Sequence, residues 1–222
     1  MHKCYGDGCA PLYDWPNCLA YLEEKCNPAP GSFPEPSKLY ALVLWQLAEC
    51  IQARSVLEVG IGPTAVSGST FIHNMAQRGG GFLCSVDIDP NLPRAQDKQL
   101  ARDNGVVWTV LHGDSLEVAK SIPATLQVDL LYIDGDHDYA HAYGDTRAYL
   151  PFLRPGGYLV IDDFPTFEGV VQAMQQLQAE GFVFIHMAHE TPHGNGRLVW
   201  QKPAMNERAL IQHNRLTWEE AS

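Results

Sequence analysis

Short apolar runs recur along this chain, and most of them stop abruptly at a glycine or a carboxylate. Ser55-Val56-Leu57-Glu58-Val59 reads as a short buried strand that runs into a glycine-rich turn from Gly60. Further strands are predicted over Phe82–Val86, Val106–Leu111, Val128–Ile133, Tyr158–Ile161 and Phe182–Met187. Helical patterns separate them, over 67–78, 91–103, 115–121, 138–150 and 166–179. Another precedes them over Ser37–Ala53, with Leu39, Val43, Leu47 and Ile51 on one face. Alternation of strand and helix predicts an α/β chain with a doubly wound parallel sheet. A last strand, Arg197–Gln201, follows the turn-rich His193-Gly194-Asn195-Gly196, a return short enough to predict an antiparallel hairpin.

Two of these runs end in clustered acids. One is Leu130-Leu131-Tyr132-Ile133-Asp134-Gly135-Asp136-His137; the other is Tyr158-Leu159-Val160-Ile161-Asp162-Asp163, entered through Leu153-Arg154-Pro155-Gly156-Gly157. Ligands of parallel sheets bind beyond the carboxyl ends of the strands, and neighbouring strands lie about 4.8 Å apart. As neighbours, the two runs bring Asp134, Asp162 and Asp163 to one point. Three carboxylates in one place repel each other, so a positive group is expected between them. His137 has two readings, a general base, a role imidazole suits, or a surface or capping histidine. Asp136 and Asp138 read as cap or surface acids.

The remaining strand ends carry weaker signals. Gly60 and Gly62 allow a tight turn and close approach to a ligand. Thr64 stands where a dinucleotide fingerprint has its third glycine, and Pro63 offers no amide to a phosphate. Gly68-Ser69-Thr70 is read as opening or capping the next helix. Asp87, directly after its strand, is placed to accept from ribose hydroxyls, whereas Asp89 reads as the cap of the helix after Pro90. Asp114, in His112-Gly113-Asp114-Ser115, either accepts from an adenine amine or caps the next helix, and the two roles are compatible.

Composition narrows the classes. The 222 residues, 45% hydrophobic and 18% charged, suit one folded domain. A net charge of -11 argues against nucleic acid, which needs a basic footprint. No apolar run approaches the ~20 residues of a membrane span. The first residues lack the apolar core of a signal peptide, so a cytoplasmic protein is expected. Residues 1–36 read as an irregular cap with Tyr5, Tyr13, Trp15, Tyr21 and Phe33, either a lid over substrate or a surface packed on the sheet edge or a second subunit. Residues 37–203 read as the α/β domain and 204–222 as a polar tail. Cys50 and Cys84 read as small buried hydrophobes. Cys4, Cys9, Cys18 and Cys26 lack paired zinc spacing and are read first as free thiols, with a metal knot or a disulfide as alternatives. His189 and His193 read as loop residues or as pocket-lining ones.

Taken in order, Glu58-Val59-Gly60-x-Gly62, Ser85-Val86-Asp87, Gly113-Asp114-Ser115, Leu131-Tyr132-Ile133-Asp134 and Leu153-Arg154-Pro155-Gly156-Gly157 resemble the class I S-adenosylmethionine-dependent methyltransferases, over about residues 37–202. The resemblance implies a Rossmann-like seven-stranded sheet in the order 3-2-1-4-5-7-6 with the last strand antiparallel. It also implies S-adenosyl-L-methionine as cofactor, with Glu58, Gly60, Gly62, Ser69, Asp87, Asp114, Ser115 and Asp134 as its contacts. A narrower resemblance is to metal-dependent O-methyltransferases of the catechol and macrolide-sugar kinds, in which Asp134, Asp162 and Asp163 match the places that hold a divalent cation. Asp163 departs from the asparagine of the catechol branch. With Asp134-Gly135-Asp136-His137 it resembles the macrolide-sugar and cephalosporin-hydroxylase-like branch. Magnesium is the ion this implies, with manganese and calcium compatible. His137 and Asp134 are the implied catalytic pair and a hydroxyl of a sugar, natural product or phenol the acceptor. A homodimer is compatible with the apolar cap.

Three rival readings remain open at this level. A nicotinamide-dependent oxidoreductase shares the glycine turn and the acidic end of the second strand but leaves Asp134, Asp162 and Asp163 without a role. A methyltransferase-like binding protein without catalysis is the second. A metal-dependent enzyme of another reaction class is the third, because one fold hosts many chemistries.

Overall fold

A computed structural model describes residues 35–188 and 196–204. Residues 1–34 of the proposed cap, with its four cysteines, together with His189, His193 and the tail from 205, lie outside the described residues. The elements in chain order are α1 (Glu35–Cys50), β1 (Ser55–Val59), α2 (Val66–Ala76), β2 (Gly81–Asp87), α3 (Ala95–Asp103), β3 (Val106–His112), α4 (Ser115–Ala119), β4 (Val128–Ile133), α5 (Tyr139–Tyr149), β5 (Leu153–Phe164), α6 (Glu168–Ala179), β6 (Ile185–Ala188) and β7 (Gly196–Gln201). The strands form one seven-stranded sheet in the order β3-β2-β1-β4-β5-β7-β6. β1 to β5 pair in parallel, and β7 runs antiparallel to both β5 and β6. This is the sheet that the resemblance implied.

Period-two alternation along the strands builds two cores. Leu57, Val59, Leu131, Ile133, Leu159 and Ile161 face the helices α4, α5 and α6, meeting Val118, Ala142, Val170 and Met174. Val56, Leu83, Leu130, Tyr132 and Val160 face the opposite side, meeting Leu44, Phe71, Ile72 and Met75 of α1 and α2. Complete burial of such side chains contributes about 1.5–3 kcal/mol each. Asp129, on β4, belongs to the end of the sheet away from the acidic strand ends. Its carboxylate accepts from Arg54 N, Ser55 N and Arg154 Nε at 2.7–2.9 Å, tying the beginnings of β1 and β5 together.

Several boundaries differ from the sequence reading. α3 starts at Ala95, later than expected, because Pro93 disfavours helical backbone at Leu92. Asp89 therefore caps a turn, accepting from Asn91 N at 2.8 Å, and no helix. β5 is longer than expected and carries a bulge between Ile161 and Phe164. Asp163 sits in it with φ 61°, a left-handed conformation uncommon for a residue with a side chain. Cys84 is buried as expected, with its thiol pushed up to about 11 by burial, whereas Cys50 is only half-buried.

Candidate active site at the carboxyl ends of the strands

A cavity of about 340 Å³ opens beyond the carboxyl ends of β1 to β4, where the strand order reverses between β1 and β4. Its size falls in the range of small-molecule sites. The turn after β1 contributes Gly60 and Gly62, the end of β2 contributes Asp87 and Ile88, and the turn after β3 contributes Gly113, Asp114 and Ser115. Asp134, Gly135 and Asp136 come from the end of β4, and His141 from the first turn of α5. The described lining holds four aspartates and neither lysine nor arginine.

The glycine turn is pressed against the end of β4. A Cβ on Gly60, whose φ is 91°, would lie 1.9 Å from the Asp134 carbonyl oxygen, so only glycine fits. Asp134 N donates to Val59 O and Gly60 N to Val86 O, both at 2.8 Å, which locks three strand ends together. Asp87 completes the loop. Its Oδ2 accepts from Ile61 N at 2.8 Å and Gly62 N at 3.3 Å, and its Oδ1 accepts from Asp89 N at 2.8 Å. The carboxylate expected to meet a ribose thus also shapes the turn.

Glu58 and Ser69 are placed differently from the expectation. Alternation turns Glu58 away from the cavity and under α2, where it is fully buried. It accepts from Ser67 Oγ and Ser85 Oγ at 2.5 and 2.6 Å, and Trp108 Nε1 donates in turn to Ser85 Oγ. Burial pushes its carboxyl up to about 7 against the opposing effect of the two serines. Ser69 lies buried inside α2, which begins at Val66, and is absent from the described cavity lining.

The wall opposite the glycine turn is built from two helix starts. Asp114 caps α4, accepting from Glu117 N at 3.1 Å, a bond that helps hold its carboxyl below the usual range. Asp138 caps α5 through His141 N at 2.8 Å, as the sequence suggested for it. His141 links the two caps, with Nδ1 3.1 Å from Asp138 and Nε2 3.5 Å from Asp114; the Asp138 bond raises its pKa. Behind them Ser115 Oγ donates to the buried Asp145 at 2.6 Å, whose carboxyl burial pushes up to about 6. His141, Asp145 and the lining role of Asp136 were not singled out from sequence. The available signal was the N-cap at Asp138, which places His141 in the first turn of a helix facing the cleft.

At the end of β5 the structure regroups the expected metal residues. Donor atoms of Asp134, His137 and Asp163 lie within 4.8 Å of one another. His137 Nε2 is 2.7 Å from Asp163 Oδ2, and its ring stacks on Phe167 with centroids 4.0 Å apart. Asp162 does not join this group. It is 3% exposed and accepts from Arg197 Nε at 3.1 Å, from the Tyr132 hydroxyl, and from Asp163 N at 2.8 Å. Adjacent residues of a strand face opposite sides: Asp162 continues the Tyr158–Val160 face into the sheet, and the bulge leaves Asp163 at the rim. Asp163 is held above its ordinary range, first by burial and then by the neighbouring Asp162 charge.

Residues 57–164 match the sequence model of a methyltransferase domain family. An uncharacterised protein of Acanthamoeba polyphaga mimivirus is 31% identical over 100 residues, a match covering 40% of this chain and 44% of that protein, so the chain spans less than half of that relative. Among solved structures, a Klebsiella pneumoniae protein described as an O-methyltransferase aligns with a TM-score of 0.55 at 20% identity, covering 89% of this chain and 91% of that one. The Bacillus cereus O-methyltransferase in complex with S-adenosylhomocysteine aligns at 0.53 and 15% identity, over 83% and 89% of the two chains. The Streptomyces achromogenes O-methyltransferase TomG, involved in tomaymycin synthesis and complexed with S-adenosylmethionine, aligns at 0.52 and 16%, also over 83% and 89%. At these identities the structural likeness establishes the fold. The sequence match over 57–164 and this fold make the chain similar to methyltransferase domains, with the sheet order of their Rossmann-like fold.

Proposed function

We propose that the chain transfers a methyl group from S-adenosylmethionine to a hydroxyl of a small molecule, with Asp134 and Asp163 holding a divalent cation and His137 accepting the proton. The observation that carries this reading is the convergence of Asp134, His137 and Asp163 beside an acidic cavity that Asp134 itself lines. A sulfonium cofactor is cationic, and its ribose hydroxyls and adenine amine are donors, so carboxylates suit it. The pyrophosphate of a nicotinamide dinucleotide would instead face four aspartates with no described lysine or arginine to offset them. The bound S-adenosylmethionine and S-adenosylhomocysteine of the structural neighbours support the same cofactor.

The donor set fits a hard dication, which is commonly bound through one or two carboxylates. A cation there would also offset the burial and repulsion that raise Asp163. When bound, the cation supplies Lewis acidity to an acceptor oxygen and the cofactor an already electrophilic methyl. Asp87 and Asp114, which both line the cavity, would hold the ribose and adenine ends of the cofactor. Asp163 and Phe167 fix the His137 ring, where it would be placed to accept the acceptor's proton while the bound cofactor would supply the methyl.

The same convergence favours a second reading, in which His137 is itself a third ligand. An imidazole donor shifts preference from magnesium toward manganese and its neighbours. Titrating magnesium and manganese into wild type and His137→Ala, alongside a methyl-transfer assay, separates the two. As the base, His137 can be removed with cation affinity intact while turnover falls by about 10²–10⁴. As a ligand, its removal lowers manganese affinity and turnover together. Undiminished turnover in the variant contradicts both readings.

A further inference from the structure

We propose that Tyr132 is a positioning residue for Asp134, and that Asp162 and Arg197 support the cation site from beneath it without touching the cation. This rests on the reading that Asp134 holds a dication.

Tyr132 is fully buried on β4, two residues before Asp134. Its hydroxyl lies 3.0 Å from Asp134 Oδ2 and also reaches Asp162 Oδ2. A phenol has one hydrogen for these two carboxylates. The hydroxyl stands between the two as a shared donor, and Asp162 has two further donors in the fully buried Arg197 Nε and the Asp163 N–H. The Tyr132 ring meets Phe71 edge-on at 5.7 Å, so packing in the α1–α2 core sets where the hydroxyl stands. One oxygen of Asp134 is thereby contacted from within the sheet.

The arrangement also assigns Asp162. An aspartate beside a rim acid reads from sequence as a ligand, yet its buried side chain is paired with a buried guanidinium. A charged pair of this kind is costly to break by removing one partner. Arg197 on β7 is thus the counter-charge that keeps Asp162 in the core and out of the cavity.

Outer-shell partners of metal ligands change affinity by about 10–100-fold when removed. The test is manganese titration of metal-free protein, read by the electron paramagnetic resonance signal of free manganese, for wild type, Tyr132→Phe and Asp162→Asn. Tyr132→Phe keeps the ring and its packing, so S-adenosylhomocysteine affinity should stay within about threefold while manganese affinity falls by about 10–100-fold. Asp162→Asn should weaken manganese binding without abolishing it. Wild-type binding that Tyr132→Phe leaves unchanged overturns this inference alone, most directly when Asp162→Asn abolishes binding and so marks Asp162 as a ligand. Absence of binding by the folded wild-type chain overturns the cation reading and this inference with it.

Discussion

The Asp87 carboxylate accepts the Ile61 backbone N–H at 2.8 Å, so the acid at the end of β2 holds the glycine turn at the end of β1. A second bond, from Gly62 N to the same oxygen, reinforces it. Hydrogen bonds to a charged acceptor contribute about 1.5–3 kcal/mol, or roughly 10–100-fold in an equilibrium. Asp87→Ala should therefore weaken S-adenosylhomocysteine binding by about that factor in calorimetry, through loss of both the proposed ribose acceptor and the shaped turn. Affinity within threefold of wild type would show that neither matters to the ligand.

Glu58 predicts an unusual pH dependence of stability. Its carboxyl stands at about 7 in the fold against an ordinary 4.5, so the folded chain binds that proton more tightly than the unfolded one. The contribution is fully present below pH 4.5 and declines as pH rises to about 7, by about 3 kcal/mol. Glu58→Gln keeps a hydrogen-bonding group between Ser67 and Ser85, whose hydroxyls can rotate to suit it, and removes the titration. Urea denaturation at pH 5 and pH 7.5 should show a larger loss for wild type than for the variant. Equal losses would place the Glu58 pKa near that of an exposed carboxyl.

The two glycines of the first turn should respond differently to alanine. At Gly60 the added methyl meets backbone at 1.9 Å and the φ is 91°, so Gly60→Ala should cost on the order of 3 kcal/mol or more. At Gly62 the φ is 64° with nothing within 4 Å, and the left-handed conformation alone costs about 1–2 kcal/mol. Thermal unfolding should rank Gly60→Ala well below Gly62→Ala. The reverse order would mean that the β1 and β4 turns are not in contact.

The strand ends were legible because an apolar run that stops at glycine or aspartate is a direct record of where a buried strand leaves the core. Val59-Gly60, Asp87, Asp114 and Asp134 all line the cavity or border it as expected. The order of the strands came from the resemblance and not from periodicity, which is blind to which strands are neighbours. The burial of Asp162 was not legible because its partner, Arg197, lies 35 positions away on a strand whose register follows only from pairing Ile161 with Leu198. A charge opening an otherwise apolar strand was the available hint. Ser69 was misread because the helix begins at Val66, after a left-handed Ala65 that no local composition announces. The Tyr132 bridge was hidden for the same reason as Asp162: β-strand alternation says that the two share a face once paired, but not that they pair.

The central claim is that the acidic cavity binds the sulfonium cofactor independently of the cation site. Titrating S-adenosylhomocysteine into metal-free protein, with and without magnesium, tests it most directly. The account predicts binding at one site per chain whose affinity does not depend on magnesium. Folded protein that takes up no S-adenosylhomocysteine in either condition, or that binds a nicotinamide dinucleotide in its place, would contradict it.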